Sequence, residues 1–154
     1  MRDPLPAKLM HLILFFHLAA AIFWMGGMAF MVLALRAPVA QQLQPPVRLP
    51  LLGAILARFF VVVGISIAVL LATGVYLLMR APAAPAGWHA MAGIGVLMML
   101  IFGHIFFGPF RRLKQAIAAA DWPEGGRRMG QITLLAKINL GLGWLAIAAV
   151  MLWR

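Results

Sequence analysis

The side chains in this sequence that could bind a metal, a cofactor or a proton are few enough to name. They are His11, His17, His89 and His104, two cations within apolar stretches, Arg58 and Lys137, and a share of the 11 methionines. The carboxylates are Asp3, Asp121 and Glu124, all outside the apolar stretches, and Cys is absent. This excludes carboxylate proton relays and hard-cation cages within those stretches. It also excludes disulfides, thiolate metal sites and redox thiols. Ser66 and Thr73 can hydrogen-bond to neighbours, but with no base beside them they are poor nucleophiles. What is left is imidazole, thioether and cationic nitrogen, which can hold a haem iron or a soft metal ion and stabilise an anion.

The elements that must position these groups are apolar helices. Of the 154 residues 65% are hydrophobic and 10% charged, and the mean hydropathy is +1.01, whereas soluble domains carry about 25% charged residues. Apolar runs at 10–35, 51–79, 88–107 and 132–153 are each long enough to cross a bilayer. The expectation is an all-α, integral membrane four-helix transmembrane bundle, a single transmembrane domain over 1–154 in contact with the lipid bilayer. The Pro-rich stretch APVAQQLQPPVRLP is expected to end the first helix, and Gly108-Pro109 to break or kink the third. Asp121, Pro123 and Glu124 have the spacing of a helix start. The first run is too long for a signal peptide, and Asp3 and Pro4 spoil its leading region. The net charge of +10 does not suggest nucleic acid, because the basic residues lie between apolar runs.

Those basic residues give an orientation. Loops one and three carry Arg36, Arg48, Arg111, Arg112, Lys114, Arg127 and Arg128, against Arg2, Lys8, Arg80 and Arg154 on the other side. Basic loops stay in the cytoplasm. Both termini are therefore expected on the periplasmic side of a bacterial inner membrane.

Depth sorts the candidates into two levels. At about 1.5 Å per residue, His17 lies roughly 28 Å from the Arg36 end and His89 roughly 33 Å from the Arg111 end, a shared outer level. Arg58, His104 and Lys137 fall roughly 10 to 15 Å in from the basic loops, an inner level of three cationic or potentially cationic groups that suits an anion. On helix one, His17, Ala20, Ala21, Trp24, Met28 and Met31 share a stripe, with His11 turned roughly 120° away. On helix three, His89, Gly93, Val96 and Leu100 lead toward His104. Small residues beside each outer His leave room for a flat macrocycle. The main reading is haem b held by His17 and His89, with Trp24 beside it and with Arg58, His104 and Lys137 on its propionates or on a second, anionic ligand. The chain would transfer electrons or act as a small quinone- or porphyrin-linked oxidoreductase.

The stretch FFHLAAAIFWMGGMAF, with His17, Trp24, Gly26 and Gly27, resembles the first helix of the HemJ-type protoporphyrinogen oxidases and of the CopD copper-resistance membrane domain. Arg58, GWHAM and the GH of His104 extend the likeness loosely over most of the chain. The resemblance implies a four-helix membrane protein that binds haem b, with His17 carried over as ligand. The chain departs from the HemJ type where that type has Asn-Glu-x-Pro-Thr, reading LLAKINLGLG with Asn139 alone, and where it has a Lys after the third-helix His, reading Met91 or a neighbour.

A second reading is copper binding or transfer. Met10, His11, His89 and Met91 lie at the outer ends of helices one and three, and thioether with imidazole suits Cu(I). The CopD likeness points the same way. A third is a structural subunit of a larger membrane complex or a homo-oligomer. Each candidate also has a simpler role. His11 and His89 are placed to anchor at the interface, His17 to bond a neighbouring backbone carbonyl, and Arg58, His104 and Lys137 to snorkel to headgroups. Met25, Met28, Met31, Met98 and Met99 read most simply as packing.

Overall fold

The computed structural model describes residues 7–81 and 83–153, and all regular structure among them is helical. Arg2, Asp3, Pro4 and Arg154, used above for orientation and for the leader argument, lie outside the described residues. Each apolar run is a helix, and each helix is longer than its run. The first rod is α1 (Ala7–Ala29), a π-helical turn (Phe30–Leu35) and α2 (Arg36–Gln42). The second is α3 (Pro45–Arg80). The third is α4 (Ala86–Ile105), a π-helical turn (Phe106–Phe110) and α5 (Arg111–Ala118), and the fourth is α6 (Trp122–Leu152). Four spans of 31 to 36 residues result. At about 1.5 Å per residue they outrun the roughly 30 Å hydrocarbon layer by several turns.

The Pro-rich stretch ends the first helix, but after its first proline, and Pro109 does not break the third. Pro38 lies in α2, and Ala34, whose carbonyl its ring would strike in a regular α-helix, belongs to the first π turn. Pro109 sits inside the second π turn. A π turn widens the backbone and accommodates the ring and the missing N–H, so the helical rod continues past the proline. Pro45 opens α3 at a position where no donor is needed, and the break between rods one and two narrows to Leu43 and Gln44. Asp121 caps α6 as its spacing predicts, with Oδ1 accepting from the Glu124 backbone N–H at 3.0 Å. Glu124 in turn pairs with Arg127 and, at 2.6 Å, with Arg128.

The rods pack as two hairpins, α1 with α3 and α4 with α6, and α6 joins the hairpins by also touching α1 and α3. At the end carrying the basic loops, Leu49, Leu113, Phe110, Met129 and Ile132 form a buried cluster that closes the bundle. Phe60 stacks edge-on against Phe110 and Phe102 at its upper margin, with ring centroids 4.7 and 5.3 Å apart. A second cluster, Trp24, Met28, Val63 and Met98, fills the middle of the bundle. Phe15, Ile22, Phe23, Val61, Ile65, Leu100 and Leu134 are exposed on the outside, the surface that lipid contact calls for. At the opposite end, the Gly87 N–H donates to the Trp153 carbonyl at 3.1 Å and ties the start of α4 to the end of α6.

Candidate functional site

His17, half-buried on α1, is held by α3. Its Nδ1 lies 2.8 Å from Thr73 Oγ1. The Thr73 hydroxyl bonds back to its own helix, donating to the Val69 carbonyl at 2.6 Å with a longer contact of 3.4 Å to the Leu70 carbonyl. A hydroxyl has one hydrogen. Since Thr73 directs it to α3, the bond to His17 must run the other way, from imidazole Nδ1–H to Thr73 Oγ1. That makes Nε2 the ring atom with a free lone pair, the state in which imidazole binds metals, with the other nitrogen fixed by a hydrogen bond. Gly74 leaves space for the ring: a Cβ there would stand 3.3 Å from His17 Cε1.

His17 lines a cavity of about 520 Å³ between the two hairpins, toward the ends away from the basic loops. All four rods contribute to its wall, among them Trp24 and Met25 from α1, Gly74 from α3, Met91, Gly95, Met98 and Met99 from α4, and Gly143 and Trp144 from α6. The wall is apolar apart from the His17 imidazole and the indole nitrogens. Four thioethers, those of Met25, Met91, Met98 and Met99, share this cavity with the His17 imidazole, while Met98 also packs in the middle cluster with Met25 and Met99 against it. Met25 owes its position to a missing side chain on α6: a Cβ at Gly143 would stand 2.8 Å from Met25 Sδ. Trp24, 3% exposed, forms part of the floor and packs edge-on against Phe102 with ring centroids 6.4 Å apart.

The remaining candidates lie elsewhere. His89 is exposed at the outer end of α4 and does not line the cavity, so His17 and His89 are not brought together as a pair of ligands. Met10 is half-buried and His11 exposed on the first turns of α1, and neither reaches the cavity wall. Of the sequence-derived copper set, Met91 alone does. Arg58, His104 and Lys137 are each exposed, and none lines this cavity or the smaller one below it. Depth placed them at one level, but depth says nothing about direction around a helix. The smaller cavity, about 50 Å³, is lined instead by Arg36, Thr133 and Asn139 together with Met28, Met31 and Met129. No group of three or more His, Asp or Glu side chains is gathered for a metal among the described residues. The residue that sequence reasoning underused is Thr73, and its signal was available as a lone hydroxyl beside a glycine in an apolar run.

The fold and cavity define a class, a four-helix membrane bundle with one imidazole in an otherwise apolar, thioether-lined chamber. The chain belongs to the copper resistance protein D family, CopD, whose family model matches residues 53–153. The match takes in Arg58, Met91, His89 and His104 and begins after α1, so His17 and Trp24 stand outside it. No curated protein and no solved structure matches the chain.

Proposed function

We propose that the protein handles copper in the membrane and that its large cavity takes Cu(I), as substrate, on His17 Nε2 and surrounding thioethers. The observation that carries this reading is the hydrogen bond to Thr73, which leaves Nε2 free in a chamber that Met25, Met91, Met98 and Met99 also line. Imidazole and thioether are neutral, soft donors, and Cu(I) is the metal ion they suit. A bare cation in an apolar chamber is costly, so the ligands must replace its water. Membership of the copper resistance protein D family supports the same substrate. The basic loops support an orientation with both termini periplasmic in a bacterial inner membrane, which opens the cavity toward the periplasmic half.

A second reading is favoured by the cavity's size. About 520 Å³ falls within the range of small-molecule sites, and Gly95, with nothing within 4 Å of where a Cβ would stand, leaves its wall open. Haem b would then be held by His17 without His89, and would supply redox chemistry toward a porphyrin or quinone partner.

Both readings are tested on one detergent-purified sample, loaded anaerobically with Cu(I) and titrated with a chromophoric Cu(I) chelator, alongside its visible spectrum and a pyridine haemochrome assay. Copper handling predicts Cu(I) retained in proportion to protein, with affinity falling about tenfold or more in His17→Ala and falling also in Met25→Leu and Met91→Leu. Copper lost equally from all forms overturns it. A red protein whose Soret band disappears in His17→Ala places haem first.

A further inference from the structure

A residue that lines the smaller cavity has a hydrogen-bonding atom with no protein partner. Asn139, on α6, is 1% exposed. Its Nδ2 donates to the Met98 carbonyl at 3.3 Å, which identifies Oδ1 as the other amide atom, and Oδ1 has no partner. A buried acceptor at this depth is costly to leave unmade. The cavity that Asn139 lines measures about 50 Å³, more than the roughly 10–15 Å³ one water needs. Two further polar groups share its wall. Thr133 Oγ1 donates to the Met129 carbonyl at 2.8 Å and keeps its lone pairs free. Arg36, half-buried where the first π turn meets α2, brings guanidinium donors and no acceptor.

We infer that this cavity is a hydrated site in which water bound to Asn139 Oδ1 bridges toward Thr133 and Arg36. The site lies between the cluster that closes the basic end and the middle of the bundle. A cation is the poorer occupant despite the thioethers of Met28, Met31 and Met129, because the Arg36 charge opposes it. The hydrated site stops short of the large cavity. Met28 lines it, Met98 lines the large cavity, and both belong to the same buried cluster with Trp24. Asn139 thus touches water on one side and, through its bond to Met98, the wall of the large cavity on the other. The inference does not depend on the copper reading.

Radiolytic hydroxyl-radical labelling with peptide mass spectrometry tests it on metal-free protein in lipid nanodiscs. Radicals form from water, so thioethers beside internal water are oxidised. Met28, Met31 and Met129 should gain oxygen at doses that also label exposed Met151, and several-fold more slowly in Asn139→Leu. Thr133→Val removes one of the water's partners with little change of shape and should slow labelling too, which keeps the test available if Asn139→Leu fails to fold. The inference is overturned if the three methionines stay unlabelled while Met151 oxidises, or if they label equally in wild type and both variants. Loss of labelling on adding Cu(I) to this cavity's methionines would identify a cation as the occupant and also overturn it.

Discussion

Thr73 Oγ1 accepts a hydrogen bond from His17 Nδ1 across 2.8 Å, and the hydroxyl can do so because its own hydrogen is directed to the Val69 carbonyl. One residue on α3 therefore sets the tautomer of an imidazole 56 positions away in sequence. Thr73→Val preserves the shape and removes the acceptor. Loss of such a supporting partner costs about 10–100-fold in metal affinity, so chelator competition should show that loss in Thr73→Val and recovery in Thr73→Ser, with helicity unchanged.

Gly143 and Gly87 both sit at close approaches, yet their alanine variants should differ. At Gly143 the new methyl meets the end of Met25, with Cε at 2.7 Å and Sδ at 2.8 Å, and a flexible thioether can swing aside. Gly143→Ala should fold normally and bind Cu(I) with altered affinity in the same chelator titration.

At Gly87 the methyl meets the backbone carbonyl oxygens of Ala149 and Trp153, which have no rotamer to change. Gly87→Ala should destabilise the protein by about 1–3 kcal/mol, visible as a lower thermal midpoint in detergent. An unchanged midpoint would mean that the junction of α4 and α6 is looser than its 3.1 Å hydrogen bond indicates.

Leu113, at 0% exposure, is central to the cluster that closes the basic end. Leu113→Ala should cost about 2–5 kcal/mol in a denaturation experiment while leaving Cu(I) affinity within experimental scatter, because the large cavity lies at the other end.

The absence of Cys makes orientation simple to measure, since any introduced thiol is unique. A membrane-impermeant maleimide applied to spheroplasts should label Arg80→Cys directly and Lys114→Cys only after permeabilisation. The opposite pattern would invert the topology read from the basic loops.

Much of this architecture is legible in the sequence because bilayers impose long apolar runs and Asp121 with Glu124 forms a local cap. The continuation of rods one and three through Pro38 and Pro109 is not legible, because a π turn forms only where packing supports the widened backbone. For the site, the residue type and depth of His17 pointed to chemistry. Its pairing with Thr73 depends on the rotation and register of two helices, which no local pattern encodes. The same limit applies to Arg58, His104 and Lys137, which are close in depth along the sequence and yet exposed, while Arg36, read from the sequence for orientation alone, and Asn139, given no site role there, line the smaller cavity. Met25, Met98 and Met99 pack in or against the middle cluster as their sequence reading has it, and also line the large cavity, which no sequence pattern shows.

The two hairpins meet in two buried clusters, one at the basic end and one in the middle, and part only around the large cavity beyond them. The buried cluster of Leu49, Phe110, Leu113 and Met129 pins them at the basic end, whereas the large cavity separates them toward the other. Mechanically this is a pair of tongs. A small rotation about the packed part would be magnified along rods of 31 to 36 residues, so lateral membrane pressure would act chiefly on the aperture beside His17.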